Sequence, residues 1–180
     1  MLQITIPAIE LWDERTQRFV ESKEQKLQLE HSLVSLSKWE SKWCKAFLGK
    51  AEKTDEEVRD YIRCMTITQN VDPNIYNYLT RDNFKKVNDY IQLPMTATTF
   101  NEKIQGRGRN QIVTAEVIYS WMFALQIPID CQKWHLNKLL TQIRTCNIMN
   151  QPSKKMNKKD VISQNAALNA ARRQRLNSKG

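Results

Sequence analysis

The sequence predicts a mainly α fold: a helical domain with a small N-terminal antiparallel β element and a basic C-terminal helix. Three observations carry this. The 180 residues include only 4 glycines and 5 prolines, too few to build the many tight turns of a sheet protein. In separate segments between Ser32 and Ile143, such as 33–48, 117–125 and 136–143, apolar residues recur every three or four positions, the spacing that lines one helix face. Positive charge collects at one end, where residues 152–180 hold eight Lys or Arg against Asp160 alone, +7 of the chain's +9.

The length suits one domain with one core, since domains commonly run to ~100–200 residues. We expect a helical domain over 1–151, containing a β-hairpin over about 1–31, followed by a basic helix or arm over 152–180. In the hairpin, Leu2, Ile4 and Ile6 alternate with Gln3 and Thr5, the period-two pattern of a half-buried strand. Residues 18–21 are expected to pair with it across a turn at 12–15, and 26–30 to add a third strand.

Helical spacing begins at Ser32, with Leu33, Leu36, Trp39, Trp43, Phe47 and Leu48 on one side and Gly49 placed to end the helix. Thr54 followed by Glu57 is a capping box, and Asp55, Glu56 and Glu57 suit the positive end of the helix they open. Asp72-Pro73 starts a short helix with Ile75 and Leu79, and Thr80 or Asp82 caps the next, which Pro94 stops. Gly106-Arg107-Gly108-Arg109 reads as a turn or loop. Thr114 is placed to cap an apolar helix that Pro128 terminates, and Asp130 to cap another holding Leu136, Leu139, Leu140 and Ile143. Residues 160–176 are alanine-rich and helix-competent, with a thin apolar face of Val161, Ile162, Ala166, Leu168 and Leu176.

Catalysis is disfavoured by what these residues lack. Cys44, Cys64, Cys131 and Cys146 contain no C-x2-C pair, so they read as free thiols rather than a zinc site with His31 or His135. Neither histidine lies in a glycine-rich elbow, and the Gly106 segment lacks the Lys-Ser/Thr ending of a phosphate loop. No catalytic, cofactor-binding or metal-ligating residue is predicted. The apolar stretch 112–129 is interrupted by Glu116 and Pro128, short of the ~20 residues a membrane span needs. The start of the chain has no basic region followed by an apolar run, and the thiols are expected to be reduced in a cytoplasm.

Binding is the remaining class. Trp39 and Trp43 stand one helical turn apart and read either as core or as a grip on a partner. The basic arm, with Lys154, Lys155, Lys158, Lys159, Arg172, Arg173 and Arg175, reads either as a solvated end or as a footprint for an anionic partner. These nine residues are the partner-binding candidates.

Four segments, SLSKWESKW at 35–43, YIRCMT at 61–66, CQKWHLN at 131–137 and ALNAARR at 167–173, give the chain a resemblance to the tail assembly chaperones of tailed bacteriophages of the siphophage type. The resemblance covers nearly the whole chain. It implies a non-enzymatic factor of the host bacterial cytoplasm that coats the helical tape measure protein, keeps it soluble and recruits tail tube protein. It also implies that the chain corresponds to the short product of a gene whose frameshift yields a longer form. Self-association is compatible with that role. Two alternatives stay open: a virion structural protein such as a connector or tail completion subunit, and a nucleic-acid-binding protein using the arm.

Overall fold

The computed structural model describes residues 1–13, 18–100, 112–151 and 158–176. The chain divides into two units, Met1–Ile148 and Met149–Gly180. The division falls just before the expected arm, inside the last turn of a helix that runs to Met149. The fold is mainly α, with an antiparallel β element at the N-terminus and a helix at the C-terminus.

The β element differs from the expected three strands. Strand β1 (Leu2–Ile6) pairs with β4 (Gln25–Leu29), and β2 (Ile9–Asp13) pairs with β3 (Arg18–Ser22). Leu2 faces Leu29, Ile9 faces Ser22 and Asp13 faces Arg18, so one antiparallel register runs through both ladders. Trp12 and Asp13, expected in the turn, belong to β2. The break between the ladders lies at Pro7, which has no N–H to give to a ladder. Ile4, Ile6, Leu27 and Leu29 of the first ladder are buried.

Helix α1 (Leu33–Trp43) opens with a capping box in which Ser32 and Ser35 exchange side-chain and backbone hydrogen bonds. It ends six residues before the expected Gly49. Cys44 takes the left-handed conformation (φ 50°) and its N–H closes on the Glu40 carbonyl. The chain then turns so that Phe47 N–H donates to the buried Glu40 carboxylate at 2.8 Å and the Phe47 ring stacks on Tyr61 at 3.8 Å. An acceptor in the core, rather than a glycine, stops this helix. Leu48, expected on the buried face, is exposed.

Helix α2 (Asp55–Met65) has the capping box read from Thr54 and Glu57, both halves present. A 3₁₀ turn (Pro73–Tyr78) and α3 (Arg81–Gln92), capped by Thr80, follow. Residues 101–111, with the glycine pair, lie outside the described residues. Helix α4 (Ala115–Ala124) starts at Thr114, but the Thr114 side chain makes no cap bond. Instead, Glu40 accepts from Ala115 N–H at 2.7 Å. This helix ends before Pro128, with Gln126 at φ 55°. Asp130 does not cap the next helix: it lies in a 3₁₀ turn (Ile129–Lys133), and α5 (Leu136–Met149) begins only after Trp134 and His135.

Unit Met1–Ile148 holds two clusters of buried apolar residues where one core was expected. The first joins Ile4, Ile6, Leu27, Leu29, Trp39, Tyr61, Ile62, Met65 and Val87; the second joins Leu33, Leu36, Ile118, Met122, Leu136, Leu139 and Ile143. Helix α1 supplies both, Trp39 to one and Leu33 and Leu36 to the other. Unit Met149–Gly180 contains α6 (Lys158–Leu176).

Candidate functional site

Of the two tryptophans, Trp39 is a core residue. It is 1% exposed, its indole N–H donates to the Glu57 carbonyl at 2.8 Å, and it packs edge-on against Phe47 and Tyr61. It therefore leaves the set of surface contact candidates, because a partner could reach it only by opening the fold. Trp43 is half-buried, and its indole N–H donates to Asp60 at 2.9 Å.

Asp60 organises the surface between α1 and α2. Its carboxylate also accepts from Lys42 at 2.7 Å and from Arg63 Nε at 3.0 Å. Burial penalises its charge, yet the hydrogen bonds from Lys42 and Trp43 and the nearby Arg63 outweigh that and hold its carboxyl below the usual range. Glu57 is paired with Lys45 and accepts from Thr54, which lowers it as well. Both acids thus face inward onto partners, while Lys42 and Arg63 keep about half of their side chains in solvent, 48% each.

A second polar group is enclosed. His31, where β4 passes into α1, has Nδ1 2.6 Å from the Tyr61 hydroxyl. Its ring lies edge to face with His135. His135 Nε2–H donates to the Tyr90 carbonyl at 3.1 Å, and Nδ1 accepts from Asn137 N–H at 3.3 Å, an arrangement that suits the neutral ring. Burial, and then the adjacent His135, push His31 down to about 4. Burial also lowers His135, although the Tyr90 carbonyl opposes it. The Tyr90 hydroxyl donates to Glu30 at 2.7 Å; burial first and that carboxylate second raise its pKa.

Unit Met1–Ile148 also carries an apolar groove of about 600 Å³, lined by Leu48, Ile112, Val113, Trp121 and Leu140, with Lys50 at its edge. Among the described residues, no three His, Cys, Asp or Glu side chains gather to hold a metal ion. The four cysteines are free thiols, Cys131 buried and Cys44 exposed. No described helix is long and apolar enough to cross a membrane.

In unit Met149–Gly180, the described side chains of α6 are all exposed, including Lys159, Arg172, Arg173 and Arg175. So are its apolar members: Ile162 is 68%, Leu168 51% and Leu176 74% exposed. Lys154 and Lys155 lie outside the described residues, as does the side chain of Lys158. Of the predicted contact residues, Trp43 belongs to one unit and the arginines to the other.

Sequence reasoning missed Glu40 altogether. Its only signal was a carboxylate between two tryptophans on the apolar side of a helix, a position that requires paired backbone donors. No family model, curated protein or solved structure matches the chain.

Proposed function

We propose that the chain is a non-enzymatic binding protein of assembly, and specifically a phage tail assembly chaperone. It acts in the cytoplasm of the host bacterium, binds the tape measure protein, keeps it soluble and assists the addition of tail tube protein. The observation that carries the reading is α6, nineteen residues of helix whose described side chains are all exposed. Isolated helices of this kind are marginal in water, because helical stability comes mostly from burying an apolar face. Val161 and Leu168, seven positions apart and both exposed, give a partner helix a stripe to cover. The resemblance of the four sequence segments supports the tape measure protein as that partner. The apolar groove at Trp121 supplies a further surface of the same character.

Co-expression with the tape measure protein of the same genome is the test. The tape measure protein should become soluble and co-purify; if it is equally insoluble with and without this chain, the chaperone reading is lost. A nucleic-acid reading has one observation in its favour, the exposed Arg172, Arg173 and Arg175. It requires a mobility shift that weakens steeply with salt as counterions are released.

A further inference from the structure

Three depressions on unit Met1–Ile148, of about 200, 380 and 250 Å³, adjoin one another. The first two share Lys42 and Arg63, and the last two share Lys38 and Cys64. They form one furrow along the α1–α2 face, with Arg59 toward one end and Lys133 and Ile67 at the other. We infer that this furrow is a docking site for an acidic, amphipathic segment of a partner protein.

The charge of the furrow follows from the helix period. Lys38 and Lys42 are four apart on α1, and Arg59 and Arg63 four apart on α2, so each pair stands on one helix face. The acids among the lining residues do not offset them equally. Asp60 is 7% exposed and already bound by Lys42, Trp43 and Arg63, and Glu30 accepts from Tyr90. Among the described residues, Lys38 and Arg59 form no hydrogen bond or ion pair through their side chains. Glu56 is the one exposed acid of the lining, so Lys38, Lys42, Arg59, Arg63 and Lys133 stand against Glu30, Asp60 and Glu56, and the furrow keeps an excess of positive charge, which recruits an anion and fixes its register.

The floor selects the kind of anion. Ile67 is 49% exposed at one end, and Val34, Met65 and half-buried Cys64 line the same depression. Nucleic acid would want ring faces for its bases. The furrow's one aromatic lining residue, Tyr76, is buried, with its hydroxyl donated to Thr66 at 2.9 Å. Cations along an apolar strip complement carboxylates flanking apolar side chains on a protein helix or strand. The inference rests on reading the chain as a binding protein but not on its partner being a tape measure protein. Failure of the co-expression test would leave it standing.

The experiment titrates the full chain with a fluorescent helical peptide of glutamate, alanine and leucine, and separately with a single-stranded DNA oligonucleotide. Lys38→Glu with Arg59→Glu should weaken peptide binding about tenfold or more, and Lys38→Gln with Arg59→Gln by less. Lys85→Glu with Lys86→Glu, an identical change of net charge on exposed α3 positions, should leave it nearly unchanged. Thermal midpoints of all variants should stay close to that of the native chain. Equal weakening by the two reversed pairs would overturn the site in favour of non-specific attraction. Tighter binding of the oligonucleotide, with the same loss in the Lys38/Arg59 variant, would overturn the acidic-protein assignment.

Discussion

His31 and His135 meet edge to face with their ring centroids 5.2 Å apart and their planes at 68°, and beside them the main chain of Ser32 bridges to that of His135. The pair joins the end of β4 to the start of α5, and Leu136 N–H donates to the His31 carbonyl at 2.7 Å. Tyr61 and Tyr90 enclose the rings, Glu30 lying behind Tyr90. A proton added to either imidazole would be buried beside another ring with no carboxylate in contact.

Stability should therefore fall with pH before the carboxylates titrate. The ordinary value of His31 is 6.5 and its folded value about 4, so between these the unfolded chain takes up a proton that the folded chain refuses. Stability from this group is complete above pH 6.5 and lost progressively toward pH 4, by about 3 kcal/mol at most. His135 adds to it with the same sign. Urea midpoints measured at pH 7.0 and 5.0 test this. A His31→Gln variant should show a shallower pH dependence, and equal midpoints for the native chain would refute the account.

Glu40→Gln should destabilise unit Met1–Ile148 by about 2 kcal/mol, because one of two buried N–H groups, those of Phe47 and Ala115, would face an amide NH₂ instead of an oxygen. A lowered denaturant midpoint with an unchanged slope is the expected result.

Trp39→Ala should cost about 3–5 kcal/mol, the range for removing a buried aromatic. Trp43→Ala should cost distinctly less, since the side chain is half-buried. A Trp43 variant as unstable as the Trp39 variant would contradict the assignment of Trp39 to the core and Trp43 to its edge.

Cys44→Gly should be tolerated or stabilising by up to about 1 kcal/mol, because Cys44 is exposed and at φ 50°, a region that glycine enters without strain. Thermal melts decide this, and a clear loss of stability would speak against the left-handed cap.

Amides of α6 should exchange with solvent hydrogen far faster than those of α1 and α2, since its described side chains have no cover. Exchange in α6 should slow when the partner binds. Strong protection of α6 in the isolated chain would mean that its apolar stripe is covered already.

Much of this was legible because it is written locally. Thr54–Glu57, Thr80 and the three-four spacing of Leu136, Leu139 and Ile143 specify their helices within a turn or two. The end of α1 and the start of α4 were not, since both depend on Glu40 reaching a backbone N–H at Phe47 and another at Ala115. The pairing of β1 with β4 was missed for a related reason: period-two alternation shows which face is buried but not which strand lies opposite. For the candidate site, residue types were readable and their exposure was not. Trp39 and Trp43 look alike in sequence and both reach α2, but Phe47 and Tyr61 close over Trp39 and leave Trp43 at the edge.

Helix α1 has one further consequence. Because Trp39 closes one core and Leu33 and Leu36 the other, neither cluster can come apart without stripping a face of the same eleven-residue helix. The unfolding of unit Met1–Ile148 is therefore expected as a single transition rather than two, despite its two clusters. The bond from Ala115 N–H to Glu40 spans 75 positions, so the entropy of closing that loop is met before the second cluster gains the contact.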